Sequence, residues 1–422
     1  MKNLFVRSVA LLLVAISLCL MLSGCVLKFD EDKYMTRDEV EDLIGESMIG
    51  NVTVEGGDNF NINIEGGDNP NVIAAAKGLL SAVSVSCHFE YKSGYGSSYT
   101  GTTTETQKGA GVIYRLDKET GDAYIITNFH VVYDPASNTV GHISKSIYAE
   151  LYGMEDCGKE IACEYVGGSM YYDLAVLKVN GSRILAESNA VAVTPTKSPD
   201  VSVLDTAIAI GNPEGEGISA TVGYVNVDSE YIDLRAADGK TNITIRVMRI
   251  DTAVNQGNSG GGLFNEKGEI IGIVSAKTSA SSVENIGYAI PFSLVQGVVE
   301  NVLYHCDGTE FDCVRRAMVG VNVGTLERYT EVDTETGKVY KREVVAITGV
   351  TVGGVAEGRL LIGDVVNSVT IDGVTYVCDR AYKLPECMLH ARVGSTVVFD
   401  VVREGVSMQV TLPITEATLT DW

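Results

Sequence analysis

Apolar and polar residues alternate in short stretches through most of the chain between Ala82 and Pro291. The apolar runs are rich in valine and isoleucine, and Gly, Asp and Asn residues separate them. Short β-forming runs divided by turn residues predict antiparallel strands. Their spacing predicts two antiparallel β-barrels, so we expect a mainly β protein.

Three segments depart from this alternation. A short helix is expected over residues 74–80, just before the first strand. Residues 93–106 are rich in Gly, Ser, Thr and Tyr, and we expect them to form a loop. A second helix is predicted from Pro291 to Tyr304. Its apolar residues recur at helical spacing: Leu294, Val295, Val298, Val299 and Val302.

The amino terminus has the pattern of a signal peptide. Lys2 and Arg7 precede an apolar run, Val9 to Leu22, that is too short to span a bilayer comfortably. Leu22-Ser23-Gly24-Cys25 resembles the bacterial lipobox, which implies removal of residues 1–24 and attachment of lipid to Cys25. An uncleaved anchor and an ordinary signal peptide stay as alternatives. We therefore expect an extracytoplasmic protein of the bacterial cell envelope, anchored to a membrane by lipid.

Residues 25–71 are expected to connect this end to the folded part. Thr36-Arg37-Asp38-Glu39 is a capping-box pattern, and it precedes an apolar stripe on one helical face. A ten-residue repeat follows, which twice predicts a strand and then a Gly-Gly-Asp-Asn turn. Neither piece is large enough to bury a core. Two interpretations stay open: a flexible tether, or a segment that packs against sister chains in a homo-oligomer.

Composition excludes one class of partner. The 422 residues include 55 acidic and 32 basic side chains, which gives a net charge of −23 at pH 7. Phosphate binding requires a concentrated basic surface, and the sequence has no Lys/Arg cluster that would provide one. We therefore expect no nucleic-acid partner. The 45 glycines fit compact β-rich domains with many turns.

Cysteine spacing bears on disulfides and metals. Six cysteines form close pairs in the sequence, none with Cys-x-x-Cys spacing, and the histidines form no zinc pattern. We therefore expect no metal. An oxidising environment outside the cytoplasm favours a disulfide within each pair. Cys87 is left over and is expected to pack in the core. The pairs are Cys157 with Cys163, Cys306 with Cys313, and Cys378 with Cys387.

The strongest chemical signal is Asn255-Gln256-Gly257-Asn258-Ser259-Gly260-Gly261. Glycines around Ser259 leave its hydroxyl uncovered and let the backbone turn tightly. Alone, this pattern is equally typical of a glycine-rich turn between strands. Two upstream segments favour catalysis: Thr127-Asn128-Phe129-His130-Val131-Val132 ends one predicted strand, and Tyr172-Asp173-Leu174 begins another. His130, Asp173 and Ser259 stand in the order found in chymotrypsin-type proteases.

These motifs, with Ala209-Ile210-Gly211-Asn212-Pro213, resemble the HtrA/Deg family of serine proteases over residues 72–415. The resemblance implies a chymotrypsin-like double β-barrel protease domain at 72–304, a linker at 305–317 and a PDZ-like α/β domain at 318–415. It implies a catalytic triad of His130, Asp173 and Ser259, with an oxyanion hole from the N–H groups of Gly257 and Ser259. No cofactor is implied. The resemblance also implies a homo-oligomer, commonly a trimer.

Substrate specificity is less sharply indicated. Ala253 resembles the floor of the primary specificity pocket in trypsin-like enzymes, and Ser275, Ala276 and Lys277 would line the same region. Because Ala253 is not acidic, we expect cleavage after small or branched apolar residues rather than after Lys or Arg. Gln256 and Gly262 replace prolines that are usual in the family, which loosens the backbone. We hypothesise that this loop is partly disordered until substrate or a PDZ signal orders it.

The C-terminal segment carries the second part of the resemblance. Met318-Val319-Gly320-Val321 is similar to the carboxylate-binding loop of PDZ domains, which add a peptide C-terminus to a sheet edge. Val319, Gly320 and Val321 are therefore expected to bind peptide. Residues 353–363 are one residue shorter than usual, and an acidic hairpin at 329–342 is unusual. A domain that serves assembly only stays as an alternative.

The sequence thus predicts an extracytoplasmic serine endopeptidase that acts on unfolded or specific envelope proteins. The alternative from another class is a protein-binding, chaperone-like scaffold whose active site is rarely competent. A purely structural envelope lipoprotein has support only from the lipobox and the N-terminal repeat.

Overall fold

The computed structural model describes residues 52–55, 61–64, 70–93, 101–155, 157–196, 201–275, 286–306 and 311–421. Cys25 and the helix expected near residue 40 lie outside these residues. The two copies of the N-terminal repeat each contain a strand, β1 (Val52–Glu55) and β2 (Asn61–Ile64), and the two strands pair. The strands predicted for the repeat are therefore confirmed.

The first barrel follows a helix, α1 (Pro70–Ser81), which is longer than the predicted 74–80. Within the described residues, six strands close it in the order β3-β4-β5-β8-β7-β6, all antiparallel. Their inward side chains are apolar and fully buried, including Val85, Ile125 and Leu177. The strands are β3 (Ala82–Ser93), β4 (Gly101–Leu116), β5 (Ala123–Thr127), β6 (Ser146–Leu151), β7 (Ile161–Ser169) and β8 (Leu174–Val179).

The loop predicted at 93–106 is wrong for residues 101–106. These residues begin β4 and continue its pairing with β3, Tyr91 opposite Thr103 and His88 opposite Thr106. Threonine is β-branched and fits a half-exposed strand, so a Thr-rich polar stretch can extend a hairpin instead of ending it. The exposed threonines of this extension conceal the alternation that would have indicated a strand.

The second barrel closes in the order β10-β11-β14-β13-β12-β9. A single buried cluster continues from one barrel into the other, with Val112 and Val176 of the first barrel and Ile210 and Phe264 of the second. The predicted double barrel is therefore confirmed. The strands are β9 (Thr206–Gly211), β10 (Ser219–Arg235), β11 (Asn242–Ile250), β12 (Gly262–Phe264), β13 (Ile270–Ser275) and β14 (Gly287–Pro291).

In the described part of this region, three further helices accompany the barrels: α2 (Phe129–Val132), α3 (Arg183–Glu187) and α4 (Phe292–His305). The predicted helix at 291–304 is confirmed as α4, shifted by one residue. Its five periodic apolar residues are all buried, which joins the helix to the core shared by the barrels. Short 3-10 turns lie at Val140–His142 and Pro213–Gly215.

The C-terminal domain is a β-rich fold consistent with a PDZ-like domain. Its sheet has the order β16-β17-β18-β20-β21, with β19 beside β18, while β15 pairs with β22. Its described residues include the α-helix α5 (Lys383–Cys387) and 3-10 turns at Met388–His390 and Glu416–Thr418. The strands are β15 (Arg315–Ala317), β16 (Val321–Val332), β17 (Val339–Val350), β18 (Val365–Ile371), β19 (Val374–Val377), β20 (Thr396–Arg403), β21 (Val406–Pro413) and β22 (Leu419–Asp421).

Buried ion pairs hold this domain against the second barrel. Arg246 of β11 is 4% exposed; it forms a two-pronged ion pair with Glu386 of α5 and lies over the Tyr382 ring at 4.0 Å. Arg380 binds Asp228 of β10 at 2.7 Å. An Arg–carboxylate fork constrains both distance and orientation, so these contacts fix the position of the C-terminal domain.

The disulfide prediction is confirmed for one pair. Cys306 and Cys313 are bonded. For Cys157/Cys163 and Cys378/Cys387 the prediction is wrong in this structure, where all four are free thiols. Cys157 is exposed while Cys163 is buried in the core of the first barrel, and Cys378 and Cys387 are both buried in the core of the C-terminal domain. Cys87 is fully buried, as predicted.

Thiol counting in denaturant tests this assignment. For residues 26–422 we expect the five free cysteines to react without reductant, and the two of the Cys306–Cys313 bond to join them after reduction. The Cys306→Ser/Cys313→Ser variant serves as control, because its count should not rise with reductant. A single reactive thiol before reduction would instead mean that all three sequence pairs are oxidised.

Candidate active site

His130 is presented by a single helical turn at the end of β5. Phe129, Val131 and Val132 of α2 are buried in the first barrel, which leaves His130 directed toward the surface. Its Nδ1 lies 2.8 Å from Oδ2 of Asp173 and 3.0 Å from Oδ1. The backbone N–H of His130 also donates to Oδ1, at 3.1 Å. These three contacts to one carboxylate fix the position and the orientation of the imidazole ring.

Asp173 lies in the short turn between β7 and β8, where Ser169 pairs with Leu174. Its φ of +53° is in the left-handed region, which Asp tolerates better than most residues, and its side chain is 4% exposed. Asn128 donates its amide Nδ2–H to the backbone oxygen of Asp173 at 2.8 Å. This buried contact is a functional feature that sequence reasoning missed, although Asn128 belongs to the motif around His130.

Ser259 lies on the loop between β11 and β12. Its backbone oxygen accepts from Ala110 N–H of β4 at 2.9 Å, which joins the loop to the first barrel. The next residue must be glycine: Gly260 has φ +86°, and a Cβ there would lie 2.2 Å from Ala110 O. A cleft of about 590 Å³ is lined by residues that include His130, Gly257 and Ser259. The structure thus brings His130 and Ser259 to one cleft, and the buried Asp173 binds His130 without lining the cleft itself.

The backbone around the predicted oxyanion hole is held by two carbonyl contacts. Glu214 N–H donates to Gln256 O at 2.8 Å, and Gly261 N–H donates to Asn258 O at 3.0 Å. In a trans peptide, C=O and N–H point to opposite sides, so these bonds direct Gly257 N–H away from Glu214 and Ser259 N–H away from Gly261. Sequence reasoning had no signal for the Glu214 contact. Ordering of this loop by substrate or by a PDZ signal stays a prediction.

The remaining residues predicted for the specificity pocket are more dispersed. Ala253 is exposed, and its backbone oxygen accepts from Thr221 Oγ1 at 3.0 Å. Ser275 is buried at the end of β13, opposite Tyr288. Neither lines the described walls of the cleft. Ala276 and Lys277 lie outside the described residues, so the specificity assignment stays a prediction.

The predicted peptide-binding loop of the C-terminal domain precedes an edge strand. Val319 is buried and its oxygen accepts from Ala356 N–H at 3.0 Å, while Gly320 turns the chain with φ +81°. Val321 begins β16, which is at the end of its sheet. A groove of about 860 Å³ follows this strand, with Tyr382 of the α5 region and Tyr231 of the second barrel among its other walls.

Two other kinds of site are missing from the described residues. No group of three or more His, Cys, Asp or Glu side chains in that part of the chain is arranged to hold a metal ion. In the same residues, no helix has the length and apolar character to cross a membrane.

Comparison with known proteins agrees with this geometry. The trypsin-like peptidase domain family matches residues 109–273, which extend from β4 through the nucleophile loop to β13. The matched part of the two barrels is therefore similar to a trypsin-like peptidase domain.

Similar proteins with assigned names narrow the class of peptidase. Serine protease Do-like HtrA of Bacillus subtilis (strain 168) is 32% identical over 327 residues, which cover 75% of this chain and 65% of that protein. Serine protease Do-like HtrA of Lactococcus lactis subsp. lactis (strain IL1403) is 29% identical over 343 residues, 78% of this chain and 76% of that protein. The chain is thus similar to HtrA-type serine proteases over about three quarters of its length.

One solved structure adds to the evidence for the fold. The HtrA-type protease AlgW with decapeptide is 24% identical to this chain, and the two superpose with a TM-score of 0.50. The aligned part covers 82% of this chain and 98% of that chain.

The Bacillus subtilis relative extends well beyond the aligned part, since the chain spans about two thirds of its length.

Proposed function

We propose that this protein is an extracytoplasmic HtrA-like serine endopeptidase that hydrolyses peptide bonds of unfolded or specific envelope proteins. One observation carries the proposal: His130 Nδ1 lies 2.8 Å from the buried carboxylate of Asp173, at a cleft shared with Ser259. A buried carboxylate bound to one imidazole nitrogen leaves the other nitrogen available as a base.

The proposed reaction proceeds in two halves. Ser259 Oγ attacks the scissile carbonyl carbon as His130 Nε2 takes the hydroxyl proton, and that proton then passes to the leaving amine. An acyl ester on Ser259 results. Water then attacks the ester, gives its proton to His130, and releases the carboxylic acid as the proton returns to Ser259. Asp173 holds the Nδ1–H tautomer and stabilises the imidazolium in both halves.

The N–H groups of Gly257 and Ser259 are proposed to stabilise the negative oxygen of each tetrahedral intermediate. Their peptide planes are held by the Glu214 and Gly261 contacts, so little reorganisation is required as charge develops. Such pre-oriented donors are worth about 3 kcal/mol each in transition-state stabilisation.

Substrate choice and regulation are proposed at two other places. Ala253, with Ser275, Ala276 and Lys277, would favour small or branched apolar residues before the cut. The C-terminal domain would bind peptide C-termini along β16 and regulate the protease; the ion pairs of Arg246 and Arg380 provide physical contact between the two domains. We further propose a lipid anchor at Cys25 and a homo-oligomer, with a trimer as the first hypothesis.

Fluorophosphonate labelling of residues 26–422 tests the enzyme assignment. Such a probe reacts where nucleophile, base and oxyanion hole are assembled together, so we expect rapid labelling of Ser259 and none in Ser259→Ala. Hydrolysis of an unfolded protein by the wild type should be lost in the same variant.

The scaffold alternative gives a different result. No labelling of the wild type, even with apolar C-terminal peptides present, would contradict the endopeptidase and favour the protein-binding role. Labelling only in the presence of peptide would support regulation through the C-terminal domain.

A further inference from the structure

The segment that connects α4 to the C-terminal domain packs under the turn that carries Asp173. We call Cys306 and residues 311–316 the linker anchor. The Cys306–Cys313 disulfide lies on Gly167 of β7, so closely that a Cβ at Gly167 would be 2.6 Å from either sulfur. Gly167 follows a bulge in the pairing of β7 with β8, which makes this face of the strand accessible to the disulfide.

Polar contacts then follow the chain toward the catalytic residue. Cys313 N–H donates to Gly168 O at 3.2 Å, and Met170 N–H donates to Asp312 Oδ2 at 3.2 Å. Asp312 also accepts a side-chain hydrogen bond from Ser169. The linker anchor therefore contacts three consecutive residues of the β7–β8 hairpin, the last of them inside its turn.

Further contacts lie on both sides of these. Tyr165 donates its hydroxyl proton to Phe311 O at 2.5 Å, and the ring of Phe311 occupies the space beside Gly141. Arg316 hydrogen-bonds the side chain of Tyr172, the residue directly before Asp173. Five positions between Gly167 and Tyr172 are thus in contact with the linker anchor, all within six residues of Asp173.

The turn that carries Asp173 is also held by contacts outside the linker anchor: Tyr171 donates its hydroxyl proton to Thr244 O at 2.9 Å, and Tyr172 N–H donates to Ser169 Oγ at 3.4 Å. Asp173 has a left-handed φ, and Asn128 holds its backbone oxygen from the other side. Burial raises the pKa of Asp312 to about 6, against the opposing effect of its two donors, so above that pH an ionised carboxylate accepts both bonds. Asp312 is exposed to solvent, which leaves its carboxylate accessible to water as it ionises.

We infer that Asp312, held in place by the Cys306–Cys313 disulfide, is a positioning residue for the catalytic Asp173. The inference rests on the proposed protease function. Loss of the Met170 contact lets the turn relax, which moves the Asp173 carboxylate relative to His130. A small misplacement of this kind lowers kcat and leaves substrate binding unchanged. Reduction of the disulfide has the same effect, so activity depends on the redox state of a bond outside the cleft.

Variants of Asp312 distinguish a role in positioning Asp173 from a role that only attaches the linker to the first barrel. Asp312→Ala removes the acceptor, and we expect kcat to fall about tenfold with KM within about twofold. Asp312→Asn keeps an oxygen that can accept from Met170 N–H, so it should restore most of kcat. Cys306→Ser/Cys313→Ser should behave like Asp312→Ala. Asp233→Asn, on the exposed β10–β11 hairpin, serves as a matched control.

A second readout does not depend on turnover. The His130 Nδ1 proton, bound to Asp173, should give a low-field proton resonance that weakens in Asp312→Ala and returns in Asp312→Asn. Wild-type kcat and an unchanged resonance in Asp312→Ala would overturn the inference, as would a loss of rate fully explained by a lower folded fraction. If the wild type itself hydrolyses nothing, the proposed function fails, and the resonance alone decides the role of Asp312.

Discussion

The Asp173→Asn variant is expected to lose about four orders of magnitude in kcat while keeping its fold. Asn is tolerated at a left-handed φ, so the +53° backbone at this position imposes no new strain. The side-chain oxygen of Asn can still accept a hydrogen bond from the backbone N–H of His130. The amide cannot stabilise the imidazolium, and it favours the tautomer in which the nitrogen facing Ser259 carries the proton. The base is therefore lost although the geometry remains.

Steady-state kinetics on an unfolded protein substrate and the thermal unfolding midpoint measure this effect together. KM should change little, because Asp173 contacts His130 rather than substrate. Asp233→Asn is the matched control: its carboxylate accepts from Thr244 on an exposed hairpin, and we expect wild-type rates. Activity of Asp173→Asn within tenfold of the wild type would contradict the triad.

The proposed catalytic residues could be singled out from the sequence because each lies beside a local pattern that is recognisable by itself. His130 follows a short apolar run, Asp173 precedes another, and Ser259 lies among glycines that the fold requires at 257 and 260. Barrel strands were predictable for the same reason, since one face of each is buried and the alternation is visible. Where both faces of a strand are exposed, as at Thr102–Thr106, that signal disappears and a loop was predicted instead.

Contacts between distant segments could not be predicted from local pattern. The side-chain amide of Asn128 binds the backbone oxygen of Asp173, and the N–H of Glu214 binds that of Gln256. Every residue has a backbone oxygen, so the sequence does not indicate which of them is bound. Cysteine spacing likewise does not tell which way a side chain points. Cys163 points into the barrel core while Cys157 lies at the surface, whereas Cys306 and Cys313 are brought together on the flat surface that Gly167 leaves open.

Gly257→Ala is expected to lower kcat by about 10²- to 10³-fold, the cost of losing one oxyanion donor. Gly257 has φ +95°, and a Cβ there would lie 2.1 Å from Asn212 O and 3.0 Å from Glu214 N. The loop must shift to relieve this clash, which breaks the Glu214 contact to Gln256 and turns the Gly257 N–H away from its position. His130 and Asp173 are in another segment and should be unaffected.

The matched control for this prediction is Gly239→Ala, in the turn between β10 and β11. Gly239 also has a positive φ, +68°, but a Cβ at this position would meet no atom within 4 Å, so this variant reports the strain of a left-handed alanine without a clash. Both variants should lose about 1 kcal/mol of folding free energy from that strain, measured by denaturant unfolding. Only Gly257→Ala should also lose turnover and the rate of fluorophosphonate labelling. Equal activity of the two variants would show that the Gly257 N–H is not a donor to the oxyanion, and would assign that donor to the neighbouring backbone of the nucleophile loop.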